Sequence, residues 1–150
     1  MVGIAWRGGT AKTRRDLRSV PLPELARLFA TPHITFVNLQ RNAGPELTAT
    51  TAAGGAGILR FDEALEEIDE TAALLQALAG VVTADSTAAH LAGALGCKTW
   101  IMLPYHADWR WQRVTAASPW YPSVALRRQS QPGDWAGVIN RIGAELALLV

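Results

Sequence analysis

The sequence predicts an α/β fold, a doubly wound, mostly parallel, six-stranded Rossmann-like sheet with helices on both faces. Short apolar runs alternate with segments of helical periodicity along the chain, which is typical of βαβ units. Several of these runs are apolar at consecutive positions, as in strands that helices cover on both faces. The 150 residues suffice for one domain with its own core, so we expect residues 1–150 to form a single domain.

Each element follows from these patterns in chain order. The predicted strands are Val2–Trp6, Ile34–Leu39, Ile58–Phe61, Gly80–Thr83, Thr99–Leu103 and Val124–Leu126. The predicted helices are Leu22–Ala30, Pro45–Ala52, Glu70–Ala79, Thr87–Leu95 and Trp135–Leu149. We expect the first strand to be central, with the fourth beside it and parallel to it, and the ligand crevice to lie at the carboxyl ends of the strands. Because the first strand begins at the second residue, we expect the domain to be cut from a longer protein.

Composition argues against several classes of protein. The formal net charge is +1, so bulk charge favours neither nucleic acid nor an anionic membrane surface as a partner. Cys97 is the only cysteine, which excludes an internal disulfide and is typical of a reducing compartment; we interpret it as a small buried residue. No apolar run has the length of a transmembrane helix or signal peptide, and no His/Cys/Asp cluster has metal-ligand spacing. We therefore expect a cytoplasmic protein without a metal or cofactor.

The loop after the first predicted strand combines glycines, hydroxyl groups and cations. Gly8 and Gly9 allow the backbone to approach a ligand closely, and Thr10 and Thr13 add hydroxyl donors. Five basic residues could cradle a diphosphate: Arg7, Lys12, Arg14, Arg15 and Arg18. The motifs G-x-G-x-x-G and G-x-x-x-x-G-K-[ST] are both absent, which argues against a nicotinamide dehydrogenase and a P-loop NTPase. A solvated basic loop is the alternative interpretation.

The stretch T-A-D-S-T-A-A-H-L-A-G-A-L-G, residues 83–96, joins a predicted strand to a helix of small residues. Asp85 should end the strand with its carboxylate in the crevice, Ser86 or Thr87 suits the N-cap, and His90 faces the same side one turn later. The helix N-terminus suits an anion. Since phosphate repels a carboxylate, we expect Asp85 to accept hydrogen bonds from sugar hydroxyls instead. The alternative is a capped helix in which Asp85 and His90 only satisfy one another.

Two further segments border the predicted crevice. Asp69 and Thr71 lie at the start of a predicted helix, where either could meet a base or ribose and one is expected to be a plain N-cap. The loop after the fifth predicted strand holds four large aromatic residues, Trp109, Trp111, Trp120 and Tyr121. We expect this Trp-rich loop to dock another domain or to form a satellite core, in preference to contacting a ligand.

Nine short motifs spread over nearly the whole chain carry a family resemblance. They are G-I-A-W-R-G-G-T, L-R-S-V-P-L, F-V-N-L-Q, D-E-T-A-A-L, A-A-H-L-A-G-A-L-G, W-I-M-L-P, D-W-R-W, S-P-W-Y-P-S and R-R-Q. In this order they resemble the glycosyltransferase-like region that follows tetratricopeptide repeats in a group of bacterial proteins. That region is similar to the C-terminal, donor-binding half of the ADP-heptose:lipopolysaccharide heptosyltransferases, which have the two-domain GT-B fold.

The resemblance implies a nucleotide-sugar site. The heptosyltransferase pattern of Asp, hydroxyl residue, small residue, two further positions and His is matched by Asp85, Ser86, Thr87 and His90, with Thr87 where the family has a small residue. It implies that Asp85 holds sugar hydroxyls and that the backbone of residues 86–88 holds phosphate. Arg18 stands where that family has a diphosphate-binding lysine. Gln40 lies where the second strand opens onto the ribose side.

The resemblance also implies what the chain lacks. The catalytic base of those transferases lies in an N-terminal half that these 150 residues do not include. We therefore expect the chain to bind a nucleoside-diphosphate sugar for transfer to an acceptor hydroxyl, and to be inactive alone. Its expected partners are an N-terminal glycosyltransferase half and tetratricopeptide repeats. Two alternatives are half of a nucleotide-sugar epimerase and a non-catalytic interaction module that uses the Trp-rich loop.

Overall fold

The computed structural model describes residues 1–52 and 57–149, in which five strands form one parallel sheet. The strands are β1 (Val2–Ala5), β2 (Phe36–Asn38), β3 (Gly80–Ala84), β4 (Thr99–Leu103) and β5 (Val124–Arg128). Their order across the sheet is β2-β1-β3-β4-β5. From β1 the chain moves to the edge strand β2 and then returns past β1 to β3. The topological switch point therefore lies between β1 and β3.

The register confirms that the first and fourth predicted strands are adjacent and parallel. Val2 of β1 pairs with Gly80 of β3, and the parallel register continues to Ala5 and Thr83. β1 is an interior strand between β2 and β3, although β3 holds the middle position of the five. All four pairings between these strands are parallel, as the α/β interpretation requires.

The described residues form six α-helices, and helices cover both faces of the sheet. They are α1 (Arg15–Arg18), α2 (Leu22–Phe29), α3 (Gly44–Ala52), α4 (Ile68–Gln76), α5 (Thr87–Ala94) and α6 (Trp135–Leu146). Side chains alternate between the two faces along each strand. Ile4 and Met102 pack on the side of α2 and α6, whereas Ala5 and Ile101 face α4 and α5. Burial on both faces explains why the strands are apolar at consecutive positions.

The third predicted strand, Ile58–Phe61, does not form, which leaves five strands in place of the six predicted. Its only ladder contact is a single parallel bridge, in which the Leu59 N–H donates to Phe36 O at 2.9 Å and Leu59 O accepts from Asn38 N–H at 2.8 Å. After this bridge, Arg60 pairs with Asp62 and the chain turns into a 3-10 helix over Asp62–Leu65. The apolar run thus forms one bridge at the sheet edge, and the chain then turns away from the sheet.

Helix predictions differ mainly at the ends. α2 and α5 match their predictions within one residue, and α6 stops at Leu146 because residues Ala147–Leu149 wind as a 3-10 helix. The loop after β1 contains α1 and a 3-10 helix over Ala11–Thr13 that the sequence did not predict. In the described part of the chain, no helix combines the length and the apolarity needed to span a membrane.

Candidate functional site

A cleft of about 530 Å³ opens at the carboxyl ends of β1 and β3, at the switch point of the sheet. This is the position at which doubly wound sheets bind ligands. Nine of the twelve predicted site residues line the cleft: Gly9, Thr10, Arg18, Gln40, Thr71, Asp85, Ser86, Thr87 and His90. The topology therefore brings together residues from the segments that follow the first, second and fourth predicted strands.

Three predicted site residues, Gly8, Lys12 and Asp69, do not line the cleft. Gly8 is buried beneath it, and its N–H donates to Ser19 Oγ at 3.2 Å. A Cβ at Gly8 would lie 2.6 Å from Asp85 O, closer than van der Waals contact permits, so glycine is needed for the loop to rest on the end of β3. Lys12 and Asp69 are exposed to solvent.

The predicted N-cap at Asp69 or Thr71 is wrong. The N-cap position of α4 is Glu67, and both predicted residues lie inside the first turns of the helix. The Thr71 hydroxyl shares its single proton between Ala64 O at 2.8 Å and Glu67 O at 2.9 Å. Thr71 therefore borders the cleft with a hydroxyl that is already engaged in tying α4 to the preceding turn.

The cradle of five cations is not assembled. Of the five, Arg7 and Arg18 line the cleft, whereas Lys12, Arg14 and Arg15 are exposed outside it. Arg7 is committed to the neighbouring loop, because Nη1 donates to Glu46 Oε1 at 2.8 Å and Nη2 donates to main-chain carbonyls. The Thr13 hydroxyl accepts from the Thr10 N–H at 2.7 Å, so it closes its own turn.

Asp85 and Arg18 form an ion pair at the base of the cleft. Asp85 is only 2% exposed, and its Oδ2 accepts a hydrogen bond from Arg18 Nη2. The same nitrogen donates to Asp85 O at 3.4 Å. Arg18 Nε is buried without a hydrogen-bond partner. The sequence predicts separate contacts for these two residues, but in the structure each neutralises the charge of the other.

His90 extends this pair toward the Trp-rich loop. Its Nε2 lies 3.9 Å from Asp85 Oδ1, and its Nδ1 lies 3.1 Å from the Tyr121 hydroxyl. The imidazole stacks on the fully buried ring of Trp111, with centroids 5.1 Å apart. A Cβ at Gly93 would lie 2.6 Å from Tyr121 Cγ, so the small residues of α5 admit the tyrosine ring. Packing from the β4–β5 connection therefore fixes the orientation of His90.

The N-terminus of α5 faces the cleft without a side-chain cap. Of the two residues predicted to suit the N-cap, Ser86 and Thr87, Ser86 occupies the position, but its hydroxyl makes no capping bond. It lies instead 3.0 Å from the Thr83 hydroxyl. Residues 86–88 all line the cleft. The first N–H groups of α5, which have no partner within a helix, are thus available on the cleft side together with the positive end of the helix dipole.

Arg41 and Arg110 were not predicted to belong to the site, yet both line the cleft. Arg41 Nη2 donates to Glu66 Oε2 at 2.5 Å, and both side chains are largely exposed. Arg41 follows β2 and Arg110 follows β4, so their positions after strand ends were the available signal. The sequence pattern does not show whether each of these loops turns toward the cleft or away from it.

The Trp-rich loop divides into buried and exposed aromatics. Trp111 forms a satellite core with Ile101, Leu126 and other buried residues, as one of the two expectations proposed. Trp109 and Trp120 remain 72% and 57% exposed.

Cys97 lies just before β4, partly buried, with Sγ 3.7 Å from Leu75 O. Burial raises the pKa of its thiol, which disfavours a reactive thiolate. Among the residues that the structure describes, no three His, Cys, Asp or Glu side chains are grouped as a metal site.

Comparisons with known proteins agree with the geometry of the fold. No protein-family model matches the chain. Protein FlbA of Caulobacter vibrioides is 27% identical over 149 residues, which is 97% of this chain and 24% of FlbA. The structure of E. coli ADP-heptose lps heptosyltransferase II superposes with a TM-score of 0.65 at 20% identity, over 99% of this chain and 46% of that one. The chain thus spans about a quarter of FlbA and less than half of the transferase. Its α/β fold with a parallel sheet resembles one half of a GT-B glycosyltransferase.

Proposed function

We propose that this chain is the nucleoside-diphosphate-sugar-binding domain of a glycosyltransferase. The observation that carries the proposal is the buried Asp85–Arg18 pair at the switch-point cleft, beside the uncapped N-terminus of α5. The likeness of the fold to half of a heptosyltransferase supports a donor-binding role. A scaffold has no need of an ion pair and an open helix N-terminus in one cleft.

The two ends of such a ligand fit different groups of the cleft. The diphosphate would accept hydrogen bonds from the N–H groups at the start of α5 and from the guanidinium of Arg18. The sugar hydroxyls would donate to Asp85, because a carboxylate has about four lone-pair positions and Arg18 engages only Oδ2. Asp85 thereby holds Arg18 in place while its remaining capacity recognises the sugar.

Gln40 has a positioning role in this proposal. Its Oε1 accepts from the N–H groups of Trp6 and Arg7, at 3.2 and 2.8 Å. The side chain therefore ties the loop after β2 to the end of β1, and its carbonyl is not available to a ribose.

The proposed reaction is a direct displacement shared with a second domain. A base outside this chain would deprotonate the acceptor hydroxyl, while the cations of the cleft stabilise the departing nucleoside diphosphate. A cleft formed by one domain alone leaves one side of its ligand exposed to water. We therefore expect this chain alone to bind nucleoside diphosphates weakly and to transfer no sugar at a useful rate.

A second candidate function is a non-catalytic interaction module. The observation in its favour is the exposure of Trp109 and Trp120, since large exposed aromatics often mark contact surfaces. In this reading the Asp85–Arg18 pair only stabilises the fold.

A calorimetric screen of ADP, UDP, GDP and their sugars against the chain separates the two functions. We expect at least one nucleoside diphosphate to bind, and Arg18→Gln to weaken it. Lys12→Gln is the matched control, because Lys12 is an exposed cation of the same loop outside the cleft. Absence of binding by every compound at millimolar concentration, or equal losses in the two variants, would favour the interaction module.

A further inference from the structure

Arg110 reaches the cleft from the strand neighbouring β3. It is the middle residue of the 3-10 helix Trp109–Trp111, which follows β4, and it lines the cleft. The adjacent Trp111 stacks on His90 of α5. Arg110 therefore lies beside the part of the cleft that α5 forms.

The other arginines of the cleft are already engaged. Four guanidinium groups of the described residues line it, and three of them donate hydrogen bonds to carboxylates. The three pairs are Arg7 with Glu46, Arg18 with Asp85 and Arg41 with Glu66. Each of these hydrogen bonds occupies a guanidinium nitrogen that a ligand oxygen would otherwise use.

Arg110 differs from these three. Its nearest carboxylate is Asp108, with Nη2 and Oδ2 3.3 Å apart in an ion pair that has no hydrogen bond between the side chains. Asp108 Oδ1 is occupied by the main-chain N–H of Arg110 itself, at 3.1 Å. Arg110 Nε is buried without a partner, which costs free energy.

The backbone that carries Arg110 is fixed. Arg110 O accepts from Trp120 Nε1 at 2.9 Å. Arg128 Nη2 donates to the carbonyls of Trp111 and Gln112, at 3.0 and 2.6 Å. Because the turn is held from both sides, little order has to be gained when the side chain meets a ligand.

We propose that Arg110 is a binding residue of the cleft, which takes the anionic oxygens of a diphosphate in the fork of its guanidinium. That the diphosphate belongs to a nucleoside-diphosphate sugar rests on the function proposed above. Arg110 adds a second guanidinium to that of Arg18, whose Nη2 is engaged with Asp85, and it makes the β4–β5 connection part of the site.

The test is calorimetric titration of inorganic pyrophosphate, ADP, UDP and GDP at one fixed ionic strength. The proteins are the unaltered chain, Arg110→Gln, Arg110→Lys and Arg113→Gln. Arg113 is the matched control, an exposed arginine three residues further that does not line the cleft. We expect Arg110→Gln to weaken binding about tenfold or more, and Arg110→Lys to retain part of the affinity because it keeps the charge without the fork. Thermal unfolding should be alike in all four proteins.

The two proposals fail in different ways. If nucleotides bind and Arg110→Gln changes their affinity no more than Arg113→Gln does, the role of Arg110 is overturned while the nucleotide site stands. If pyrophosphate binds through Arg110 but no nucleotide binds more tightly than pyrophosphate, the anion site stands and the proposed function fails. If neither pyrophosphate nor any nucleotide binds, both are overturned.

Discussion

Two arginine–carboxylate pairs of this molecule contain the same charged groups but differ in how many of their hydrogen-bonding positions are occupied. Arg127 of β5 meets Glu145 of α6 with two hydrogen bonds, Nε to Oε1 at 2.8 Å and Nη2 to Oε2 at 2.7 Å. Trp100 Nε1 adds a third, to Oε2 at 2.6 Å. In the cleft, Asp85 receives a single nitrogen of Arg18, and Arg18 Nε has no partner.

The difference separates a structural pair from a pair that can take a ligand. Burial raises the pKa of Glu145, but the hydrogen bonds from Arg127 and Trp100 outweigh it, and the pKa lies below its ordinary value of 4.5. Both oxygens of that carboxylate accept hydrogen bonds, and the side chain ties a strand to a helix. Asp85 is more deeply buried and less fully bonded. Since buried polar groups are normally satisfied, the spare hydrogen-bonding capacity of this pair supports the proposed ligand site.

The largest expected effect is that of Arg18→Gln. It leaves the buried Asp85 carboxylate without its cation, which should lower the free energy of unfolding by about 3 kcal/mol. The uncompensated negative charge would also repel phosphate, so the affinity for a nucleoside diphosphate should fall about a hundredfold. Urea unfolding and calorimetry measure the two effects. Arg18→Lys keeps the charge and should recover most of the stability; stability and affinity unchanged in Arg18→Gln would contradict the account.

Glu145→Gln should cost stability alone. One carboxylate oxygen is replaced by an amide nitrogen, which cannot accept the hydrogen bond that Arg127 or Trp100 donates. We therefore expect a loss of about 2 kcal/mol of unfolding free energy. The affinity for nucleoside diphosphate should stay as it is, because Glu145 does not line the cleft. A weakened affinity would show that the two pairs are not separate in function.

Asp85→Ala should change the affinities for nucleoside diphosphates and for nucleoside-diphosphate sugars differently. Loss of the carboxylate releases Arg18, so a bare nucleoside diphosphate should bind as before or more tightly. A nucleoside-diphosphate sugar loses the acceptor of its hydroxyls and should bind about tenfold more weakly. Equal weakening of both ligands would indicate that Asp85 organises the start of α5 instead of recognising the sugar.

The smallest expected effect is on acid stability. A carboxyl whose pKa is lowered in the folded state contributes stability that is present above its unfolded pKa and lost as pH falls through the folded value. Glu145 should therefore stabilise the fold fully above its ordinary pKa of 4.5 and progressively less below it. Urea unfolding between about pH 7 and about pH 3 should show a shallower decline for Glu145→Gln. Parallel curves for the two proteins would contradict the role given to its hydrogen bonds.

The strands and the place of the cleft could be predicted from the sequence, because strands buried on both faces need consecutive apolar residues and parallel topology fixes where ligands bind. The strand predicted over residues 58–61 is wrong, because the same apolar pattern is compatible with a full strand and with a single bridge at Leu59. The Ser86 N-cap position was also predictable. Its bond to Thr83 was not, because the geometry of the strand end decides it.

The pairing inside the site could not be predicted in the same way. Arg18 and Asp85 stand 67 residues apart, and their contact depends on Gly8 letting the first loop rest on the end of β3. Arg110 was missed because the buried ring of Trp111 determines which way its turn faces. Local pattern gives the loops that border a cleft, whereas tertiary packing selects the side chains that enter it.

The thermal shift produced by a nucleoside diphosphate, measured in the unaltered chain, Glu145→Gln and Arg18→Gln, tests the central claim most directly. A ligand that binds only the folded state raises the melting temperature according to its affinity. We predict the same upward shift, each relative to its own ligand-free protein, in the unaltered chain and in Glu145→Gln, and a much smaller shift in Arg18→Gln. An equal shift in all three proteins, or no shift in any of them, would contradict the claim that the Asp85–Arg18 pair is a ligand site and the Arg127–Glu145 pair a structural one.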